Sequence, residues 1–347
     1  MVENGAQAAR GLVLEHIRSD SRFVLATHEN VDGDALGSLL GMHGLLRALG
    51  KDALMFMAAS EFPLPEEYRW LALGDVIQAP PADIAQRTVV LLDCGNIDRN
   101  SAQVLRDGAY LLNIDHHHDN TRFGTLDYVV PEASCTAEII WDLMHGLGVS
   151  PDAEVAQALY VGLVTDTGRF MYENTGPRAH QMAAELIAAG VDVQDVYRKL
   201  YEGVPYAKLA LLGRALSQVR RFDRGALTVA ALSAEDFRAT DAQDSYSEGI
   251  VDHLRAVRGT KVAALVREVT APERNGQRKV SLRSGDDDDI DVSAIARAQG
   301  GGGHRGAAGF STTLSCEELI EFLRHELAAQ LHPERAEDAE DAAPAPV

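Results

Sequence analysis

With 347 residues, 46% of them hydrophobic and 24% charged, the chain holds more apolar material than one core usually serves, which predicts two globular domains and excludes a short or wholly disordered binder. Lysine and arginine number 32 against 52 aspartates and glutamates, a net charge of −20 that excludes a generally basic nucleic-acid coat and requires any phosphate to be held locally or through a cation. Cys94, Cys135 and Cys316 lie far apart with no CxxC spacing, which excludes a disulfide framework and predicts a reducing, cytoplasmic setting.

The N-terminal run MVENGAQAARGLVLEHIRSD carries acids inside its apolar pattern and reads as an amphipathic helix, not as a signal peptide. No uncharged apolar run approaches the roughly 20 residues of a membrane span, so no membrane association is expected. Short β-rich runs at 23–27, 54–57, 88–93, 110–114 and 126–130 alternate with helical periodicity at 35–49, 136–147 and 152–165. This alternation predicts an α/β domain over residues 1–190, a mostly parallel sheet with helices on both faces. After Gly190 a helical pattern runs through Val196, Leu200, Leu209 and Leu216 with few turn breakers, predicting a helical linker at 191–205 and a boundary near Val204 and Pro205. Strands at 226–232, 261–269 and 279–283, then helices at 292–299 and 316–327, predict a smaller α/β domain over 206–332. The acidic run 286–289 lacks the alternating ligands of a calcium loop and reads as an exposed turn. PERAEDAEDAAPAPV is acidic and free of aromatics, which predicts a disordered tail over 333–347.

The most informative segment is FVLATHENVDGDALGS, in which an apolar strand ends and His28, Asp32 and Asp34 follow before a helix. Taken alone, Asp32-Gly33 reads as a turn and Asp34 as the cap of that helix. The next strands change this reading. TVVLLDCG sets Asp93 directly after a strand, YLLNIDHHHDN sets Asp115, His116, His117 and His118 after another, and Asp166 closes the apolar helix VAQALYVGLVTDTG. Acids and histidines at several strand ends meet where open α/β sheets bind ligands. Carboxylate and imidazole without thiolate suit Mn²⁺ or Mg²⁺, with Zn²⁺ or Co²⁺ conceivable. Cys94 is expected to point to the opposite face from Asp93.

HENVDGDALGS, LLDCG, IDHH and TDTG, in this order, resemble the four motifs of the DHH phosphoesterase superfamily, and VSLRS at 280–284 with GGGGHRGAAGF at 300–310 resembles its associated C-terminal domain, DHHA1. The two-domain plan, with SEGIVD at 247–252, is similar to the nanoRNase and 3′-phosphoadenosine 5′-phosphate phosphatase group. Val31 stands where proline is common in that family, a change that loosens the loop but removes no ligand. The resemblance implies two divalent ions, Mn²⁺ first and Mg²⁺ or Co²⁺ as alternatives, one held by His28, Asp32 and Asp93 and the other by Asp34, Asp93, His116 and Asp166. Asp93 would bridge them, at the separation of about 3.5–4 Å that two-metal phosphoryl chemistry uses. It further implies that His117 contacts the phosphate or protonates the leaving oxygen, and that Asp115 orients a ligand histidine. His118 has no role in that pattern.

The GGGGH run is too glycine-rich for ordinary secondary structure; embedded between a helix and an apolar stretch, it reads as a binding loop rather than a flexible linker. By the same resemblance Arg283, Ser284, Gly302, Gly303 and His304 would bind the terminal phosphate and sugar of a nucleotide. The expected activity is hydrolysis of short oligoribonucleotides of about two to five nucleotides to nucleoside 5′-monophosphates, with 3′-phosphatase action on the bisphosphate, by a homodimer. A linear or cyclic dinucleotide phosphodiesterase and a catalytically idle nucleotide-binding module are the alternatives. Family II pyrophosphatase and a long-strand exonuclease are disfavoured by the glycine-rich domain and by the lack of room for a further nucleic-acid domain. With no basic stripe, long duplex nucleic acid is not an expected partner.

Overall fold

The computed structural model describes residues 2–100, 102–269, 276–285 and 290–331. The acidic run 286–289 and the tail 333–347 lie outside the described residues. The chain divides into two compact units, Met1–Gly203 and Val204–Val347.

The first unit is built on β1 (Arg22–Ala26), β2 (Asp52–Phe56), β3 (Val76–Ile77), β4 (Thr88–Leu92), β5 (Tyr110–Asp115) and β6 (Leu126–Val129), all parallel in the order β3-β2-β1-β4-β5-β6. Strand β4, TVVLL, is buried throughout, as the central strand of a parallel sheet covered on both faces must be. Alternate side chains feed two cores. Phe23, Leu25, Val90, Leu92, Leu112 and Ile114 pack on one side against helices α1 (Val2–Ser19), α2 (Gly33–Ala48), α3 (Thr136–Leu147), α4 (Ala153–Asp166), α5 (Pro177–Ala188) and α6 (Val193–Tyr201). Val24, Ala26, Val89 and Leu91 face the other side, whose cover comes from short 3₁₀ turns such as Ile84–Gln86 and Gln103–Asp107. The helical cover expected on both faces is therefore uneven: the connections between β3, β4 and β5 carry 3₁₀ turns in place of α-helices.

Helices α2 and α4 approach closely because α2 presents glycine to its neighbour. A Cβ on Gly37 would lie 2.5 Å from the Ala158 carbonyl oxygen and 2.9 Å from the Gly162 nitrogen, and one on Gly33 would lie 2.3 Å from Thr165 Oγ1. Val31, expected to loosen its loop, is buried in the first core.

The long helical linker expected after Gly190 is interrupted. Helix α6 ends at Tyr201, Gly203 takes a left-handed φ of +77°, and α7 (Tyr206–Ser217) begins behind Pro205. Val196 and Leu200 of α6 are buried in the first unit's core, so the segment 191–201 packs as part of that unit.

The second unit holds β7 (Arg220–Phe222), β8 (Leu227–Leu232), β9 (Val262–Glu268), β10 (Arg278–Ser284), β11 (Gly302–His304) and β12 (Ala307–Thr312) in the order β11-β12-β10-β9-β8-β7, antiparallel except for β8 beside β9. One face packs on α10 (Val292–Arg297) and α11 (Cys316–Leu331) through Val280, Leu282, Ala308 and Phe310. The opposite face is covered at β8 and β9 by α7, α8 (Ala234–Thr240) and α9 (Ile250–Arg255).

Because α2 and α4 touch through backbone, Gly37→Ala tests the packing with an unusual sign. Alanine normally stabilises a helix interior by about 1 kcal/mol over glycine. Here the variant is expected to lose roughly 1–3 kcal/mol in urea unfolding as the helices are forced apart; a gain would mean that α2 and α4 are not packed in this way.

Candidate metal centre

The sheet order reverses between β1 and β4, which are neighbours although β2 and β3 intervene in sequence. Register pairs Ala26 with Leu91, so His28 and Asp93, each two residues further on, emerge side by side at the carboxyl ends of adjacent strands. Asp93 adopts a left-handed φ of +56°, an uncommon conformation for a residue with a Cβ, while its N–H donates to the Ile114 carbonyl. The adjacent Cys94 turns the other way into the second core, where burial pushes its thiol up to about 12.

Around Asp93 the expected residues converge. Its Oδ2 lies 3.5 Å from His28 Nε2, and Asp32 Oδ2 lies 3.9 Å from the same nitrogen. Its Oδ1 lies 3.7 Å from His116 Nε2, which is also 3.7 Å from Asp166 Oδ2. Ligand atoms of His28, Asp32 and Asp93 all fall within 4.8 Å of one another, as do those of Asp34, His116 and Asp166. The two oxygens of Asp93 thus face two separate groups of carboxylate and imidazole. His28 Nδ1 is 2.7 Å from the Glu29 carbonyl oxygen, an acceptor that keeps a proton on Nδ1 and turns Nε2 toward Asp32 and Asp93, as a ligand nitrogen must be turned.

The cap of α2, which local sequence suggests for Asp34, falls to Asp32. Asp32 caps α2, its Oδ1 accepting from the N–H groups of Asp34 and Ala35. Asp34 is buried and caps a different helix: the N–H groups of Thr136 and Ala137, at the start of α3, donate to its Oδ2 and Oδ1 at 2.6 and 2.9 Å. Asp115 holds His117, which with Asp93 and His116 forms a further group of ligand atoms within 4.8 Å of one another. Its Oδ1 accepts from His117 Nδ1 at 2.7 Å, and its contact with His116 is through the backbone N–H. Asn120 holds the other oxygen of Asp115 at 2.6 Å.

Without a cation the cluster is in electrostatic conflict. Burial, reinforced by Asp93, Asp166 and Asp32, raises the Asp34 carboxyl well above the ordinary carboxylate range. Burial also pushes Asp166 up to about 6, the charge of Asp93 adding to it and His116 opposing. Asp93 is held below its usual value, because hydrogen bonding and charge from His28, His117 and His116 outweigh its burial. Burial lowers His117, but its bond to Asp115 and the charge of Asp93 prevail and lift it to about 9. Buried carboxylates that share one pocket, with hard oxygen and borderline nitrogen donors, fit a divalent cation.

The candidate nucleotide-binding residues gather in the second unit. Arg283 lies opposite Ala307 of β12, which in turn pairs with His304 of β11, while Ser284 N–H donates to the Gly306 carbonyl at 3.0 Å. The side chain of His304 lies outside the described residues. Of the GGGGH run, expected as a binding loop, Gly302–His304 form strand β11 of a hairpin. A Cβ on Gly301 would lie 2.3 Å from the Gly309 carbonyl oxygen, and one on Gly303, whose φ is +143°, 2.5 Å from that of Ala307. Gly302 is exposed and has nothing within 4 Å of its Cβ position, so the hairpin itself does not require glycine there. Ser281, Arg283, Ala307 and Gly309 share a face by register, and none of the apolar residues packed with α7–α9 comes from β10, β11 or β12. Arg283 Nε lies 3.4 Å from Asp252 Oδ1 of α9, in the SEGIVD segment.

Sequence reasoning missed Thr136, Asn120 and Asn174. Thr136 Oγ1 donates to Asp93 Oδ1 at 3.0 Å, and Asn174 Nδ2 to Asp166 Oδ2 at 3.2 Å. A buried threonine at the first turn of a helix gave the only local signal.

The model of the DHH family N-terminal domain matches residues 22–163, and that of the DHHA1 domain matches residues 227–332. Over 326 residues the chain is 35% identical to a bifunctional oligoribonuclease and PAP phosphatase NrnA of Thermus thermophilus, covering 91% of this chain and 94% of that one. This chain belongs to the DHH/DHHA1 family. A relative of the same description from Bacillus subtilis is 28% identical over 295 residues, covering 83% and 88% of the two chains. Among solved structures, an exopolyphosphatase-related protein from Bacteroides fragilis shares the fold with a TM-score of 0.84 at 24% identity, over 93% of this chain and 97% of that one. A manganese-bound exonuclease RecJ shares it at a TM-score of 0.52 and 16% identity, each chain being covered over 94%. Among the described residues no helix is long and apolar enough to cross a membrane.

If the DHH cluster holds a cation, Mn²⁺ added to chelator-treated protein must raise its stability, by about 2.7 kcal/mol at a free concentration a hundredfold above Kd. Differential scanning calorimetry reads this as a concentration-dependent rise in Tm; an unchanged Tm up to millimolar Mn²⁺ would rule out a cation site.

Proposed function

We propose that this protein is a cation-dependent phosphoesterase that hydrolyses short oligoribonucleotides to nucleoside 5′-monophosphates and removes the 3′-phosphate of PAP. The observation that carries this reading is the placement of Asp93, whose two oxygens face His28 with Asp32 on one side and His116 with Asp166 on the other. In it His28, Asp32 and Asp93 hold one divalent ion, and Asp34, Asp93, His116 and Asp166 the other; Mn²⁺ suits these donors best, with Mg²⁺ or Co²⁺ as substitutes. When bound, such a pair supplies the charge and the activated water that an in-line displacement at phosphorus needs.

The residues of the chain do the rest. His117, fixed by Asp115 through its Nδ1, acts as a donor for a phosphate oxygen or for the departing oxygen. Arg283, Ser284 and the exposed Gly302, with Gly303 and His304 in the same hairpin, offer a guanidinium, a hydroxyl and open backbone to the far phosphate and sugar. The named activities of the Thermus and Bacillus relatives support the substrate class. The net charge of −20 supports short substrates, since a long strand held by many phosphate contacts calls for a basic track.

Turnover with Mn²⁺ on pApA, a longer RNA, cyclic dinucleotides, PAP and pyrophosphate tests the reading directly. AMP from pApA and phosphate from PAP are expected; turnover of pyrophosphate alone would overturn it. Asp93→Ala should abolish both activities with the fold retained. His117→Ala should lower kcat while Mn²⁺ content by atomic absorption stays at the wild-type level, and loss of an ion equivalent would instead make His117 a ligand.

Recognition in the second unit predicts a different pattern. Arg283→Ala and Gly302→Val should each reduce kcat/KM on pApA, the former by about ten- to a hundredfold for a lost charge-assisted contact of roughly 1.5–3 kcal/mol. Bis-p-nitrophenyl phosphate, which has no second nucleotide to hold, should be affected much less. Equal losses on both substrates would take the recognition role away from this hairpin.

A further inference from the structure

Helix α3 begins without a local cap: the residue before it, Cys135, contributes no side-chain hydrogen bond to the first turn. Its first N–H groups are satisfied by Asp34, 102 residues away in sequence, at 2.6 Å from Thr136 N and 2.9 Å from Ala137 N. Thr136 is fully buried and makes a second bond in the other direction, its Oγ1 donating to Asp93 Oδ1 at 3.0 Å. That oxygen is the one facing His116 Nε2 at 3.7 Å. One residue therefore ties together two carboxylates of the Asp34, His116 and Asp166 side of the cluster. The opposite side, with His28 and Asp32, has no bond to Thr136 among the described residues, and the Asp32 side chain is 56% exposed.

The hydroxyl is unavailable for a ligand role of its own. Its proton is committed to Asp93, and a neutral hydroxyl beside ionisable carboxylates is the weaker donor to a hard cation. At the first position of a helix it also has no preceding turn whose carbonyl it could bond, so Asp93 is its acceptor. We propose that Thr136 is a positioning residue: by fixing Asp93 Oδ1 and Asp34 in one orientation, it sets the cation affinity of the Asp34–His116–Asp166 side, and it acts less strongly on the His28–Asp32 side, which shares only Asp93 with it. This inference rests on the two-cation reading given above. Residues that orient metal ligands typically change affinity by about ten- to a hundredfold when removed.

Thr136→Val keeps the shape, the burial and the N–H bond to Asp34 but deletes the donor to Asp93. Thr136→Ser keeps the donor and deletes only the methyl group. Thr136→Ala removes the hydroxyl without a branched side chain, which provides a second deletion should the valine variant fold poorly. Chelator-stripped full-length proteins, checked by circular dichroism, would be titrated with Mn²⁺ by calorimetry. The wild type is expected to bind in two classes. Both deletions should weaken one class by about ten- to a hundredfold and the other clearly less, serine should restore the wild-type isotherm, and kcat at saturating Mn²⁺ should largely recover. Equal affinity of wild type and both deletions, or a serine variant as impaired as valine, would overturn the assignment while leaving the cation reading intact. A wild-type protein that binds no Mn²⁺ would overturn both.

Discussion

A single buried carboxylate, Asp34, joins parts of the first unit that sequence keeps far apart. It sits in the first turn of α2, satisfies the bare N-terminus of α3, and reaches the cluster of Asp93, His116 and Asp166. Helix α4 is brought to the same place because α2 meets it through glycines: Gly162 leaves the room that Asp34 Oδ1 occupies, where a Cβ would approach within 2.8 Å. The carboxylate is expensive in this position, as its raised affinity for a proton records. Part of that cost is offset by the positive end of α3 and its two N–H donors. The remainder is what a divalent cation would relieve, so helix packing and cation binding draw on one group.

The location of the cluster follows from the sheet. Strands β1 and β4 are apolar on both faces, and charge is tolerated only where they end. Because these strands are neighbours across the reversal of sheet order, their ends converge, and the left-handed turn at Asp93 aims one carboxylate between His28 with Asp32 and His116 with Asp166. The two sides of Asp93 are not alike. His116 and Asp166 stand beside the anchored Asp34, with Asn174 bonded to Asp166, whereas Asp32 spends one oxygen on capping α2 and leaves its side chain open to solvent. The stiff side can set the geometry, and the open side is left free to adjust.

Much of this was legible in the sequence because it is local. A charged residue directly after an apolar run, as in TVVLLDCG and YLLNIDHHHDN, marks a strand end that cannot be buried unpaired, and helix α3 has the bounds its periodicity predicts. Non-local hydrogen bonds left no such trace. The trans-cap from Asp34 to α3 joins residues about a hundred positions apart, and nothing in IDHH says that Asp115 holds the second histidine through its side chain and the first only through its backbone. Glycine was ambiguous for another reason. Near Gly203 it broke a helix that apolar spacing alone would have continued, and in the GGGGH run it permitted a tight hairpin, not a loop.

If Arg283 makes the phosphate contact proposed above, the hairpin also bears on how a strongly acidic protein would hold a phosphate. Arg283 is not left free in the second unit but sits 3.4 Å from Asp252, in a pair whose side chains are about a third and about half exposed. Such exposed pairs contribute only about 0–1 kcal/mol, so a phosphate can displace the carboxylate at little cost. Before that exchange, Asp252 restrains the guanidinium and reduces the rotamer entropy lost on binding. Affinity drawn from one such exchange and a short stretch of open backbone is modest by construction. That suits an enzyme whose proposed products, mononucleotides, carry the same phosphate and must leave the hairpin after every turnover.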